Sequence, residues 1–120
     1  MKIVFTTAGK DLNAALDQRF GRSPGFLIFN SDDESVEFRD NGANVDAAQG
    51  AGVSAAEAIA RLKVDVVITG NCGPRAFQVL QAAGIKVFNS GAASISEALA
   101  DYRAERLNPA SAPNVRGHWS

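Results

Sequence analysis

The residues best suited to chemistry sit in one short stretch, Gly70-Asn71-Cys72-Gly73-Pro74-Arg75, which carries the chain's only cysteine. A thiolate is a ligand for soft metals and a nucleophile, and turn amides beside a helix start attract anions. With Arg75 nearby and the helix dipole behind it, the Cys72 thiol is expected to have a lowered pKa. The alternative is a small packed residue without function. Arg19 and Arg22 flank Phe20-Gly21. Together with Arg75 they offer forked donors to sulfide, oxo or phosphate groups, or else they pair with surface carboxylates. Asn71, Gly73, Ser90 and Gly91 are candidates through backbone N–H groups arranged as a nest. His118, the single histidine, is a candidate second metal ligand if the tail folds back; the blander reading is an ordinary residue beside Trp119.

Other chemistries find little support. One thiolate cannot hold a cluster that needs about four ligands, so a cluster brings its own ligands or a dimer supplies more. Asp11, Asp17, Asp40 and Asp46 are scattered over loops, without the clustering that a two-metal nuclease requires. Ser23, Ser54 and Ser94 have no adjacent general base, which argues against a serine hydrolase. Gly50-Ala51-Gly52 lacks the third glycine and the preceding strand of a dinucleotide fingerprint, and reads as a flexible loop closing over the same site. A thiol-dependent enzyme using Cys72 has neither a resolving cysteine nor a visible base and ranks behind a non-catalytic binding protein.

The elements that must position these residues follow from pattern. The 120 residues, 46% hydrophobic, suit one domain over 1–107 with an extended, Pro-containing tail over 108–120. Apolar β-rich runs predict strands at 2–7, 25–30, 35–39, 64–69 and 85–88, the second and third joined as a hairpin by Ser31-Asp32-Asp33-Glu34. The third alternates Val36 and Phe38 with Glu37 and Arg39, as an edge strand does. A weak helical hint appears around 12–16, and 40–52 reads as loop. Ser54 with Glu57, and Ser94 with Glu97, are capping boxes that predict helices through about 62 and about 106. Pro74 opens a further helix that Gly84 ends. The order β-β-β-α-β-α-β-α implies a mixed five-stranded sheet, order 3-2-1-4-5, in a ribonuclease H-like α/β arrangement. Loops 7–22, 70–75 and 89–94 then meet at the carboxyl edge of the sheet, where ligands bind in open α/β folds.

Thirteen acidic against twelve basic residues, net charge −1, give no reason to expect nucleic acid or an anionic membrane as partner. No stretch approaches the roughly 20 apolar residues of a membrane span. A cytoplasmic protein with a free thiol is the expectation, as monomer or homodimer.

Arg19-Phe20-Gly21-Arg22-Ser23-Pro24, Gly50-Ala51-Gly52 with Ala55-Ala56, the run 64–70, Gly73-Pro74 with Ala76-Phe77, and Ala83-Gly84-Ile85-Lys86-Val87-Phe88 form an ordered set. The chain resembles, on that set, the dinitrogenase iron-molybdenum cofactor biosynthesis family, which includes NifX-like proteins and the carboxyl-terminal domain of NifB. Gln49 stands where some members have a histidine, and the tail lacks the Cys- and His-rich endings of others. The resemblance implies a non-catalytic carrier or accessory protein for an iron-sulfur or molybdenum-iron-sulfur cluster, with cluster donors or acceptors as partners. A module that binds phosphate or nucleotide through the same arginines is the alternative.

Overall fold

Alternation along the strands decides the architecture. In the computed structural model, which describes residues 1–42 and 51–110, the strands are β1 (Lys2–Thr7), β2 (Gly25–Asn30), β3 (Ser35–Asp40), β4 (Val66–Thr69) and β5 (Lys86–Asn89). They form one sheet in the order β3-β2-β1-β4-β5. β1 is antiparallel to β2, and β2 to β3, while β1, β4 and β5 run parallel. This is the mixed sheet and strand order that the sequence pattern implies.

Three helices are bounded within the described residues: α1 (Ala51–Arg61), α2 (Pro74–Ala82) and α3 (Ile95–Arg103). Because side chains alternate across a strand, the buried residues fall into two clusters. Val4, Phe26, Ile28, Val67 and Val87 pack with Ala55, Ala56 and Ile59 of α1 and Ala76, Phe77 and Leu80 of α2. On the other face Ile3, Phe5, Leu27, Phe29, Val66, Ile68 and Phe88 pack with Leu16 and with Ile95, Ala98 and Leu99 of α3. The central strands are therefore buried on both faces, whereas β3 is largely exposed, Val36 by 41%. Each large core side chain contributes about 1.5–3 kcal/mol by leaving water.

Several boundaries differ from the sequence pattern. Residues 12–16 form no helix: the Asn13 N–H donates to the Asp11 carboxylate at 2.9 Å and the Ala14 N–H to the Asp11 carbonyl at 3.1 Å. That local turn outcompetes the helix. Ser54 is not an N-cap, since α1 already includes Ala51 and buries Gly52 one turn earlier. Of the predicted loop 40–52, Asp40 belongs to β3, 51 and 52 belong to α1, and 43–50 lie outside the described residues.

The ends of α2 and α3 share one device. At α2, Gly84 takes φ 77°; its N–H donates to Gln81 and that of Ile85 to Leu80, both at 3.0 Å, the paired bonds of a Schellman motif. At α3 the same role falls to Glu105, φ 60°, with Glu105 and Arg106 donating to Tyr102 and Asp101. The helix therefore stops at Arg103 rather than near 106.

Candidate functional site at the carboxyl edge of the sheet

Consecutive threonines end β1, and another ends β4. Thr6, Thr7 and Thr69 are fully buried, so their hydroxyls must find partners inside the protein. Thr6 Oγ1 lies 2.8 Å from Thr69 Oγ1 and donates to the Asp17 carbonyl at 2.7 Å. Thr7 Oγ1 donates to the Ala15 carbonyl at 2.7 Å. These bonds draw loop 7–22 down onto the strand ends. Phe20 anchors it, being 2% exposed with its ring 5.8 Å from that of Phe26.

The three loops expected to meet are bonded into one surface. The Phe20 N–H donates to the Asn71 carbonyl at 3.0 Å, the Asn71 side chain donates to the Gln18 carbonyl at 2.9 Å, and Arg19 and Asn71 form a parallel bridge. The Leu16 N–H donates to Ala93 at 3.1 Å, and the Asn89 side chain reaches the Gly70 carbonyl at 3.2 Å. Gly70 cannot be larger. A Cβ there would lie 2.7 Å from Gln18 Cα, so the glycine lets the two loops close.

At the start of α2, Gly73 is the N-cap, with no side-chain cap, and Pro74 occupies the first turn. Pro74 has no N–H, and among the described residues the Arg75 and Ala76 amides donate to nothing. This end of α2 has no acidic residue in its first turn but has an exposed Arg75. A cation at the positive end of a helix dipole costs about 0.3–1 kcal/mol. The combination suits an incoming anion. Arg19 is exposed and, like Arg75, makes no ion pair among the described residues. Arg22 is half-buried and engaged with neighbours.

Cys72 departs from expectation. The thiol points inward, 2% exposed, among Phe20, Phe26, Ala55, Ala56 and Phe77 of the first core cluster. The thiol makes a weak contact with the Gly73 carbonyl at 3.7 Å. Burial raises its pKa to about 12, because the low-dielectric surroundings disfavour the thiolate more than Arg75 and the helix end favour it. The expected lowering is thus reversed. Arg75 is exposed to water, where its charge is screened.

Ser90 also changes role. It is 6% exposed; its N–H donates to the Thr69 carbonyl at 2.9 Å and its hydroxyl accepts from the Ala92 N–H at 3.1 Å. It holds the loop and has no amide to offer. Gly91 is exposed. Among the described glycines only Gly84 takes a positive φ, so neither 71–73 nor 90–91 has the alternating backbone of a nest. His118 lies outside the described residues. No group of three or more His, Cys, Asp or Glu among the described residues is arranged to hold a metal ion.

Gln18, Thr6, Thr7 and Thr69 were not singled out by sequence reasoning, and Ser23 was weighed only as a nucleophile. Ser23 is fully buried and donates to the Gly25 carbonyl at 2.7 Å, and its own carbonyl accepts from the Asn41 side chain at 2.9 Å. Polar residues ending an otherwise apolar strand were the available signal.

Fold and loop edge together define a small α/β domain whose loops meet at the carboxyl ends of its parallel strands. The chain belongs to the dinitrogenase iron-molybdenum cofactor family, which matches residues 1–105. It is 37% identical to the orange protein of Desulfovibrio gigas, whose apo structure superposes with a TM-score of 0.90 over 95% of this chain and 96% of that one. A Thermotoga protein with a provisional NifB assignment is 27% identical, with a TM-score of 0.82 over 95% and 97% of the two chains. An uncharacterised protein of Methanocaldococcus jannaschii is 32% identical over 90 residues, 72% of this chain and 75% of its own. Among the described residues, no helix is long and apolar enough to cross a membrane.

Proposed function

We propose that this protein is a non-catalytic carrier or accessory protein for an anionic iron-sulfur or molybdenum-iron-sulfur cluster, or a precursor of one, that brings its own sulfide ligands. The observation that carries the reading is the uncapped start of α2, with two amides that find no acceptor among the described residues and a first-turn arginine, joined to the loop of Arg19 and Arg22. Family membership supports a cluster as the anion. Arg19, Arg22 and Arg75 contribute forked donors, and the turn 71–73 presents the helix end. The cluster is cargo, received from a donor protein and passed to an acceptor. The strand order supports the ribonuclease H-like label as a description of the fold, without nuclease chemistry.

Cys72 enters this reading only if its turn opens, because a buried, protonated thiol is neither ligand nor nucleophile. The same burial counts against a thiol-dependent enzyme. The uncapped helix end also favours a second reading, a phosphate- or nucleotide-binding module, since its donors accept any compact anion.

Anaerobic incubation with iron and sulfide, and separately with tetrathiomolybdate, followed by metal analysis and visible absorption, tests the proposal. Stoichiometric coloured binding by wild type and Cys72→Ala, lost in Arg19→Ala/Arg75→Ala, is the expected result. Binding lost in Cys72→Ala instead makes the thiol the anchor. Failure to bind either cluster, with thermal stabilisation by phosphate or ATP, replaces the proposal with the second reading.

A further inference from the structure

The two edges of the sheet are finished differently. Along β5 the chain returns: the Ala110 N–H donates to the Val87 carbonyl at 2.7 Å and Pro109 forms a bridge with Phe88. Pro109 has no N–H to offer a further strand, so this edge is closed. Among the described residues β3 pairs with β2 alone, and all its residues except the half-buried Phe38 are exposed. Its outer row of backbone groups is a template for another strand.

The pattern of β3 identifies which strand. Glu37 and Arg39 share the face that lies over Leu62 and Val64, and they form an ion pair along the strand, while Phe38 lies on the opposite face. Glu37-Phe38-Arg39 is complementary in charge to its own reverse. Suppose a second copy adds antiparallel about a two-fold axis perpendicular to the sheet. Facing residues must then lie on the same side, which leaves only pairings centred on a single residue. Centring on Glu37 opposes two carboxylates, centring on Arg39 opposes two guanidiniums, and centring on Val36 sets Glu37 against Ser35 and leaves Arg39 beyond the end of the partner's strand. Centring on Phe38 opposes Glu37 to the partner's Arg39, and Arg39 to the partner's Glu37, forming two favourable cross-strand pairs.

We infer that β3 is a homodimer interface in which two copies join edge to edge, antiparallel and centred on Phe38, to make one continuous sheet. The inference is independent of the cargo, since β3 contributes none of the residues of the loop site.

Sedimentation equilibrium over a range of protein concentrations, with charge-reversal variants, tests it. Wild type is expected to shift toward twice the monomer mass as concentration rises. Glu37→Arg and Arg39→Glu each convert both symmetric pairs to like-charge pairs, and should weaken self-association roughly tenfold or more. An equimolar mixture of the two variants is expected to regain dimer, because an all-basic edge then meets an all-acidic one. The double variant Glu37→Arg/Arg39→Glu should dimerise as wild type does. A wild type monomeric up to millimolar concentration, a dimer indifferent to both reversals, or a mixture that stays monomeric would each overturn the inference.

Discussion

Two helices of nine residues, α2 and α3, each follow a parallel strand and begin in opposite ways. At α3 every early amide is used: Ile95 donates to Ala14, Ser96 to Leu12, and Glu97 to the Ser94 hydroxyl at 3.2 Å. Its charges suit the dipole, with Glu97 in the first turn and Arg103 in the last. α2 has a glycine N-cap, no acid in the first turn and no base in the last, and Arg75 sits at its positive end. One helix has satisfied its own terminus; the other has left it available. Where a local rule is broken without a compensating contact, function is the usual reason, and this contrast directs attention to α2 rather than to loop 89–94.

The largest expected effect is on the loop that completes the α2 site. Phe20→Ala should cost about 3–5 kcal/mol, as removal of a buried aromatic does, measured by denaturant unfolding. A loss below 1 kcal/mol would mean that Phe20 is not what holds Arg19 and Arg22 in place.

The inward turn of Cys72 sets the next. Its folded-state pKa, about 12, lies above the ordinary thiol range, so the unfolded chain releases this proton first. The stability that results is complete below pH about 9 and declines as pH rises toward 12, reaching a loss of about 2 kcal/mol near pH ~10.5. Other groups titrate there as well, so the comparison is with Cys72→Ala, whose alkaline loss should be smaller by that amount. Equal alkaline slopes would show that the thiol is ionised or exposed in the folded protein. Native protein should likewise react with iodoacetamide far more slowly than the unfolded chain.

At the helix starts the contrast can be broken directly. Arg75→Ala should weaken tetrathiomolybdate binding about tenfold, roughly 1.4 kcal/mol for one charge-assisted contact, while leaving stability unchanged or slightly raised. Ser94→Ala should do the reverse: about 1 kcal/mol of lost stability, seen in thermal melts, with binding unaltered. If the two variants exchanged these effects, the assignment of roles to the helices would be wrong.

Much of this was readable from pattern, for reasons tied to particular residues. Apolar runs such as 26–29 and 66–68 placed the strands, and the tight polar turn 31–34 allowed only a hairpin, so the strand order followed. The meeting of the three loops came from topology alone. What escaped was tertiary competition. Helix or loop at 12–16 depended on an Asp11 turn and on bonds with Ala93, Ile95 and Ser96, which no local window contains. Ser54-x-x-Glu57 has the form of a cap, but α1 begins upstream of it. Glu105 ends α3 where a glycine would have announced the stop. For Cys72, the turn could be located from sequence but not the direction of its side chain, and that direction decides between a reactive thiolate and a protonated core residue.

The central claim is that an anionic cargo sits on the start of α2 and not on that of α3. Titration of ¹⁵N-labelled protein with tetrathiomolybdate under anaerobic conditions, followed by amide chemical shifts, tests it most directly. Saturable shifts of Arg75 and Ala76, with those of Arg19 to Arg22, and quiet Ser96 and Glu97 amides are the expected result. Shifts centred on Ser96 and Glu97, or none at either helix start, would contradict it.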